Sequence, residues 1–115
     1  MSYKITRRTE AAFYEAPGHF DMRPTRLHNP DEVNEGRMIM GLSHFLPGGG
    51  CEFGDNPLES IYYIVEGEMD LETEDGHTTT LRQGDSFHCG PGTKKGIKIT
   101  ARLPARCLYA CCRRL

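Results

Sequence analysis

The stretch DNPLESIYYIVEGEMDLETEDGHTTTLRQGDSFHCGPG, Asp55 to Gly92, decides the fold. ESIYYIVEG is dense in β-branched and aromatic residues, the composition of a half-buried strand. GEMDLETEDGHTTTLRQG reads as a hairpin: Met69 and Leu71 share a face, Asp75-Gly76 supplies the turn, and Thr78 to Leu81 returns. GDSFHCGPG adds a short strand that runs into a Pro-Gly turn. Upstream, RMIMGLSHF (Arg37 to Phe45) is strand-like and is expected to end at LPGGG, where Gly48, Gly49 and Gly50 permit a tight or bulged corner. No helix pattern follows those glycines to supply an N-terminal dipole, so they read as a turn and not as a phosphate cradle. Downstream, KKGIKIT and RCLYACC close the chain as strands. Helical periodicity is confined to TEAAFYEA near the start. Short strands with turns about every ten residues predict an all-β fold, a jelly-roll β-barrel. Residues 1–36, broken by APG, RPT and NPDE, read as an N-terminal arm with one or two short strands, part of the same domain as a barrel at 37–115.

Charge and composition narrow the function. Among 115 residues, 14 Lys plus Arg face 16 Asp plus Glu, a formal charge of -2, which leaves no basic footprint for nucleic acid. No apolar run approaches the roughly 20 residues that span a bilayer, so no membrane is expected as a partner. The opening MSYKITRRTEAAFYEAPG lacks an apolar signal core, and a cytoplasmic location is expected. The five cysteines are odd in number and form no CxxC pair, which points to reduced thiols. Adjacent Cys111 and Cys112 would point to opposite faces of a strand and make a poor ligand pair.

Two corners carry a family resemblance. PGGG…NPLESIYYIVEGEM resembles the first motif of the cupin superfamily, and LRQGDSFHCGPGTKK resembles the second; the match runs from about Met38 to Ile99. The resemblance implies a barrel whose first motif supplies a His-x-His pair and a Glu, and whose second supplies a His, to hold a divalent metal. Counting from PGG and Gly67, and from Gly84 and Gly92, places those four positions on Gly54, Asn56, Ser60 and Lys95. None is a usual ligand, and a lysine ammonium repels a cation. No cofactor and no metal are therefore expected. The alternative is a metal-dependent cupin of dioxygenase type, its site rebuilt from His44, Cys51, Glu52, Asp55, Glu59 and His88.

Strand alternation orders the remaining candidates. With Ser60 inward, Tyr62 and Ile64 are inward too; Lys95 inward brings Ile97 and Ile99 with it. Met38, Met40, Leu42 and His44 share one face of their strand. The expected catalytic set is Tyr62, His88 and Lys95, with Glu52 or Glu59 as a carboxylate base. The expected substrate-binding set is Met40, His44, Glu52, Asn56 and Ser60. Plainer readings stand beside these: a methionine stripe as core, each histidine as a satisfied structural residue, and Lys94, Lys95 and Lys98 as a solvated cluster at the rim. A slip of one residue would exchange Lys94 for Lys95. An inward Lys95 admits two chemistries, a cation that holds a carboxylate or enolate or a desolvated amine that acts as a base or forms a Schiff base. Cys51 has no adjacent histidine or helix N-terminus to activate it.

The expected function is a small-molecule-binding protein, a metal-independent lyase, isomerase or cyclase acting on a carbonyl or carboxylate substrate. The alternative is a non-catalytic metabolite-binding or sensory domain. The resemblance also implies a homodimer, with His19, Asp21, Arg23 and Arg26 of the arm as interface candidates.

Overall fold

The computed structural model describes residues 2–112. Its strands are β1 (Ala12–Phe13), β2 (His19–His28), β3 (Met38–Asp55), β4 (Glu59–Glu66), β5 (Glu68–Thr73), β6 (Thr78–Arg82), β7 (Ser86–Cys89), β8 (Lys94–Lys98) and β9 (Ala105–Cys112). They pair antiparallel in the order β6-β5-β8-β3-β9-β4-β7, and β1 and β2 lie against β3. The sheet curls into a nearly closed jelly-roll barrel, as the strand and turn pattern predicts. TEAAFYEA forms no α-helix; a 3-10 turn at Arg8–Glu10 leads into β1. No helix among the described residues is long and apolar enough to cross a membrane.

β3 is the hinge of the architecture. Its first half, from Met38 to Phe45, pairs with β9, and its second half, from Gly50 to Asp55, pairs with β8. LPGGG therefore does not end a strand; it bends one as it passes between the two halves of the barrel. Gly48 takes φ +84, which L side chains rarely adopt. A Cβ on Gly49 would lie 2.3 Å from the Asp21 carbonyl oxygen, and one on Gly50 2.0 Å from that of Ile97. A run of glycines reads as a turn from sequence because the crowding that demands them comes from distant strands.

The hairpin follows its pattern closely. Met69 pairs with Leu81, Leu71 with Thr79, and Asp75 Oδ1 accepts the His77 backbone N–H at 3.2 Å. Met69 and Leu71 are buried with Ile64, Phe45, Leu81, Ile97 and Ile99 in the core. Each such side chain contributes roughly 1.5–3 kcal/mol.

Strand phase is where β3 departs from expectation. On β4, Ser60 and Ile64 are buried while Ile61 and Tyr63 are 51% and 47% exposed, as the alternation predicts. On β3 the inward residues are Gly41, Ser43 and Phe45. Met38, Met40, Leu42 and His44 face outward, with Met38 54% exposed. Alternation fixes the period of a strand but not its phase, and a strand apolar on both faces leaves the phase open.

Candidate functional site

A cavity of about 620 Å³ opens between the inner faces of β2, β3, β4, β8 and β9 and the chain from Tyr14 to His19. β4 delivers Tyr62 to it and β8 delivers Lys95. Lys95 pairs across the sheet with Gly54, whose missing side chain leaves room beside it. Lys95 Nζ sits 4.8 Å from the centroid of the Tyr62 ring. That ring stacks on Phe87 at 4.5 Å and 9°, which holds it in place. Lys95 makes no ion pair among the described residues; its partner is an aromatic face. Lys94 is exposed, so the register places Lys95 inside.

Burial lowers the pKa of that lysine; negative charge on Tyr62 and Cys51, which forms only at high pH, acts the other way, and the net direction is upward. At neutral pH the lysine is an ammonium whose neighbours are neutral, so its lost hydration is not repaid by an opposite charge. Burial pushes the Tyr62 phenol up, with Lys95 acting in the opposite sense. Burial also raises Cys51 and takes Cys107 to about 12, so both remain thiols at neutral pH. The interior thus presents an ammonium with neutral donors around it.

The other expected residues divide by face. Ser60 is buried but is not on the cavity lining; its Oγ lies 3.3 Å from Cys111 Sγ. Asn56 lines the cavity, but its Oδ1 accepts the Leu58 N–H at 2.9 Å, so it also shapes its own loop. Glu52 lines the cavity from an exposed position, as does Asp55. His88, Met40 and His44 do not reach the cavity. His88 is on the outer face of β7, opposite Ile61, with its Nε2 2.5 Å from Glu59 Oε2. Met40 is outward for the phase reason given above. His44 lies edge-on to Phe13 at 6.3 Å; burial and then Arg106 hold its imidazole below the ordinary value.

Among the cavity residues that the sequence reading did not single out as site residues are Tyr14, His19, Arg26 and Tyr109. Tyr109 lies across Gly41, where a Cβ would meet its ring at 2.5 Å. Its hydroxyl is 2.5 Å from that of Tyr14, and the Arg26 guanidinium carbon lies 4.4 Å from the centroid of the Tyr14 ring. The available signal was Tyr109 alternating with Cys107 and Cys111. Its pairing with Gly41 is a long-range register that local sequence does not state.

The four family ligand positions do not fit a divalent cation. Gly54 offers no side chain, Asn56 spends its oxygen on the backbone, Ser60 is a neutral hydroxyl, and Lys95 is an ammonium. The rebuilt set is split, with Cys51, Glu52 and Asp55 lining the cavity and His44, Glu59 and His88 outside it. Among the described residues, no group of three or more His, Cys, Asp or Glu could hold a metal ion.

Comparison with known proteins places this geometry in a family. Residues 41–111 match the Cupin domain. The chain is 34% identical over 94 residues to the β-D-galactosidase Rv1717 of Mycobacterium tuberculosis, covering 82% of this chain and 80% of that protein. Among solved structures, the polyketide cyclase RemF from Streptomyces resistomycificus superposes with a TM-score of 0.82 at 20% identity, over 97% of this chain and 80% of that one. KdgF from a Halomonas species gives 0.74 at 19% identity, over 96% of each chain. At such identities the structural likenesses speak for the fold alone.

Proposed function

The chain belongs to the cupin family, and from that premise we propose that its barrel binds a small molecule bearing a carboxylate or carbonyl group and acts on it without a metal, as a lyase, isomerase or cyclase. The carrying observation is Lys95, an ammonium inside the cavity with an aromatic ring beneath it and no carboxylate partner. A charge in that position is costly unless something pairs with it. It receives a substrate carboxylate, or the negative charge that develops on a carbonyl oxygen as a proton leaves the neighbouring carbon. Tyr62 is neutral at ordinary pH and donates a proton or a hydrogen bond beside it. Glu52, on the same lining, is the carboxylate placed to take a proton. His88 has no part in this reading.

The test is a thermal-shift screen of small carboxylic and keto acids, followed by turnover assays on the acids that bind. The proposal expects stabilisation of the wild type that vanishes in Lys95→Met, and turnover that falls at least about tenfold in Tyr62→Phe. Binding that survives Lys95→Met would sink it. Binding without turnover would favour a metabolite-binding or sensory domain.

One observation supports a second reading. The relative at 34% identity is named a β-D-galactosidase, and glycoside hydrolysis uses two flanking carboxyl groups. Glu52 and Asp55 are the carboxylates on the cavity lining. This reading expects hydrolysis of a nitrophenyl β-galactoside that is lost in Glu52→Gln; absence of hydrolysis removes it.

A homodimer is proposed through the outer face of β3, β4 and β9. Met38, Ile61 and Tyr63 are exposed there beside Leu42 and Leu108. Light scattering at a dimer mass, shifted toward monomer by Tyr63→Glu, is the expected result; a monomer mass in the wild type refutes it.

A further inference from the structure

A second cation, Arg26, lines the same cavity as Lys95. It is carried by β2 and pairs with Gly41 across the sheet. One guanidinium nitrogen, Nη1, donates to Asn29 Oδ1 at 3.2 Å. Its Nε is buried without a hydrogen-bond partner. Arg26 makes no ion pair among the described residues. The Nε is closed off from the cavity, but the residue lines it and no carboxylate neutralises its charge, so an anion carried by the ligand is the partner that is missing. Guanidinium recognises carboxylates through paired N–H donors.

The surroundings of Arg26 are built for this. The guanidinium carbon sits over the Tyr14 ring, 4.4 Å from its centroid. The hydroxyls of Tyr14 and Tyr109 are 2.5 Å apart. One proton serves the bond between them, and the other remains free to donate. Burial, then Tyr14, pushes the Tyr109 phenol up, which keeps that hydroxyl in its donor form. Gly41 is the gap that lets the Tyr109 ring lie where it does. Tyr109 and Tyr62 stand 6.2 Å apart, so aromatic surface connects the Arg26 cluster to Lys95.

We infer that Arg26, with the Tyr14–Tyr109 hydroxyl pair, forms a second anion-binding subsite, and that the ligand is an elongated dicarboxylate with one acid group on Lys95, the other on Arg26 and an apolar body along Tyr62 and Tyr109. The inference rests on the reading of Lys95 given above and adds the second point of attachment. The N-terminal arm supplies Tyr14 and so completes the site. Glu52 and Asp55 on the same lining are exposed to solvent, where water and salt screen their repulsion.

Calorimetric titration with linear dicarboxylates from succinate to sebacate, each beside its monomethyl ester, tests this. At the matching chain length the diacid is expected to bind wild-type protein at least about tenfold more tightly than its ester. That advantage is expected to vanish in Arg26→Gln and in Lys95→Met, and to shrink severalfold in Tyr109→Phe, which keeps the ring and the fold. Equal binding of diacid and ester at every length overturns the second subsite. If Lys95→Met weakens both probes while Arg26→Gln and Tyr109→Phe change neither, the second subsite falls and the reading of Lys95 stands. If Lys95→Met changes neither probe, or none of the probes binds, the reading of Lys95 falls and the two-point inference falls with it.

Discussion

On the outer face of the barrel, ionisable side chains meet carboxylates: His88 lies against Glu59, and Arg106 pairs with Glu66. On the inner face, Lys95 and Arg26 meet aromatic rings and no carboxylate. The outer pairs are solvent-exposed and contribute little, because water screens them and two long side chains lose freedom in forming them. The inner cations are costly to bury and receive no ion pair in return. Charge on the outside is therefore a matter of surface, and charge on the inside points to a ligand.

The comparison can be broken from the inside first. Gly41→Val drives a side chain into the Tyr109 ring, and a loss of about 1–3 kcal/mol is expected in urea unfolding. Tyr109→Ala in the same protein should recover part of it; no recovery would mean that the clash lies elsewhere. Next is Lys95→Met, which removes an unpaired interior charge and keeps an apolar stem. Stability should hold or rise by about 1 kcal/mol, even as carboxylate binding is lost. A large loss of stability would make Lys95 a structural residue.

The outer face should respond more weakly. A double-mutant cycle on His88→Ala and Glu59→Ala is expected to give a coupling below about 1 kcal/mol, with ligand binding unchanged. A loss of binding in His88→Ala would return His88 to the site. The smallest effect belongs to His44. Its folded pKa lies below the ordinary histidine value of about 6.5. Its contribution to stability is thus complete above that pH and is lost as the pH falls through the folded value. His44→Gln should flatten this part of the profile between neutral and acidic unfolding curves.

Much of the inner face was legible in the sequence, and most of what was missed has one cause. Ser60, Tyr62 and Ile64 could be phased because the family motif places position 60 inward and alternation carries the rest of β4. Lys95 could be placed because two motifs bracket it. Met40 and His44 were misplaced because β3 is apolar on both faces and its phase depends on Phe45 packing into the core. His88 went astray on β7, four residues long, where one step exchanges the faces. Arg26 and Tyr109 stayed hidden because their meeting depends on β2, β3 and β9 lying side by side. Local pattern reports strands and turns; which distant strands share a wall is settled by the closed barrel.

The central claim is that the barrel holds a permanent positive charge at Lys95. An NMR pH titration of the Lys95 side chain, assigned by the signal missing in Lys95→Met, measures it directly. The expected midpoint lies at or above that of an ordinary lysine, about 10.4. A midpoint near neutrality would contradict the account, because a neutral amine has no charge with which to hold an anion.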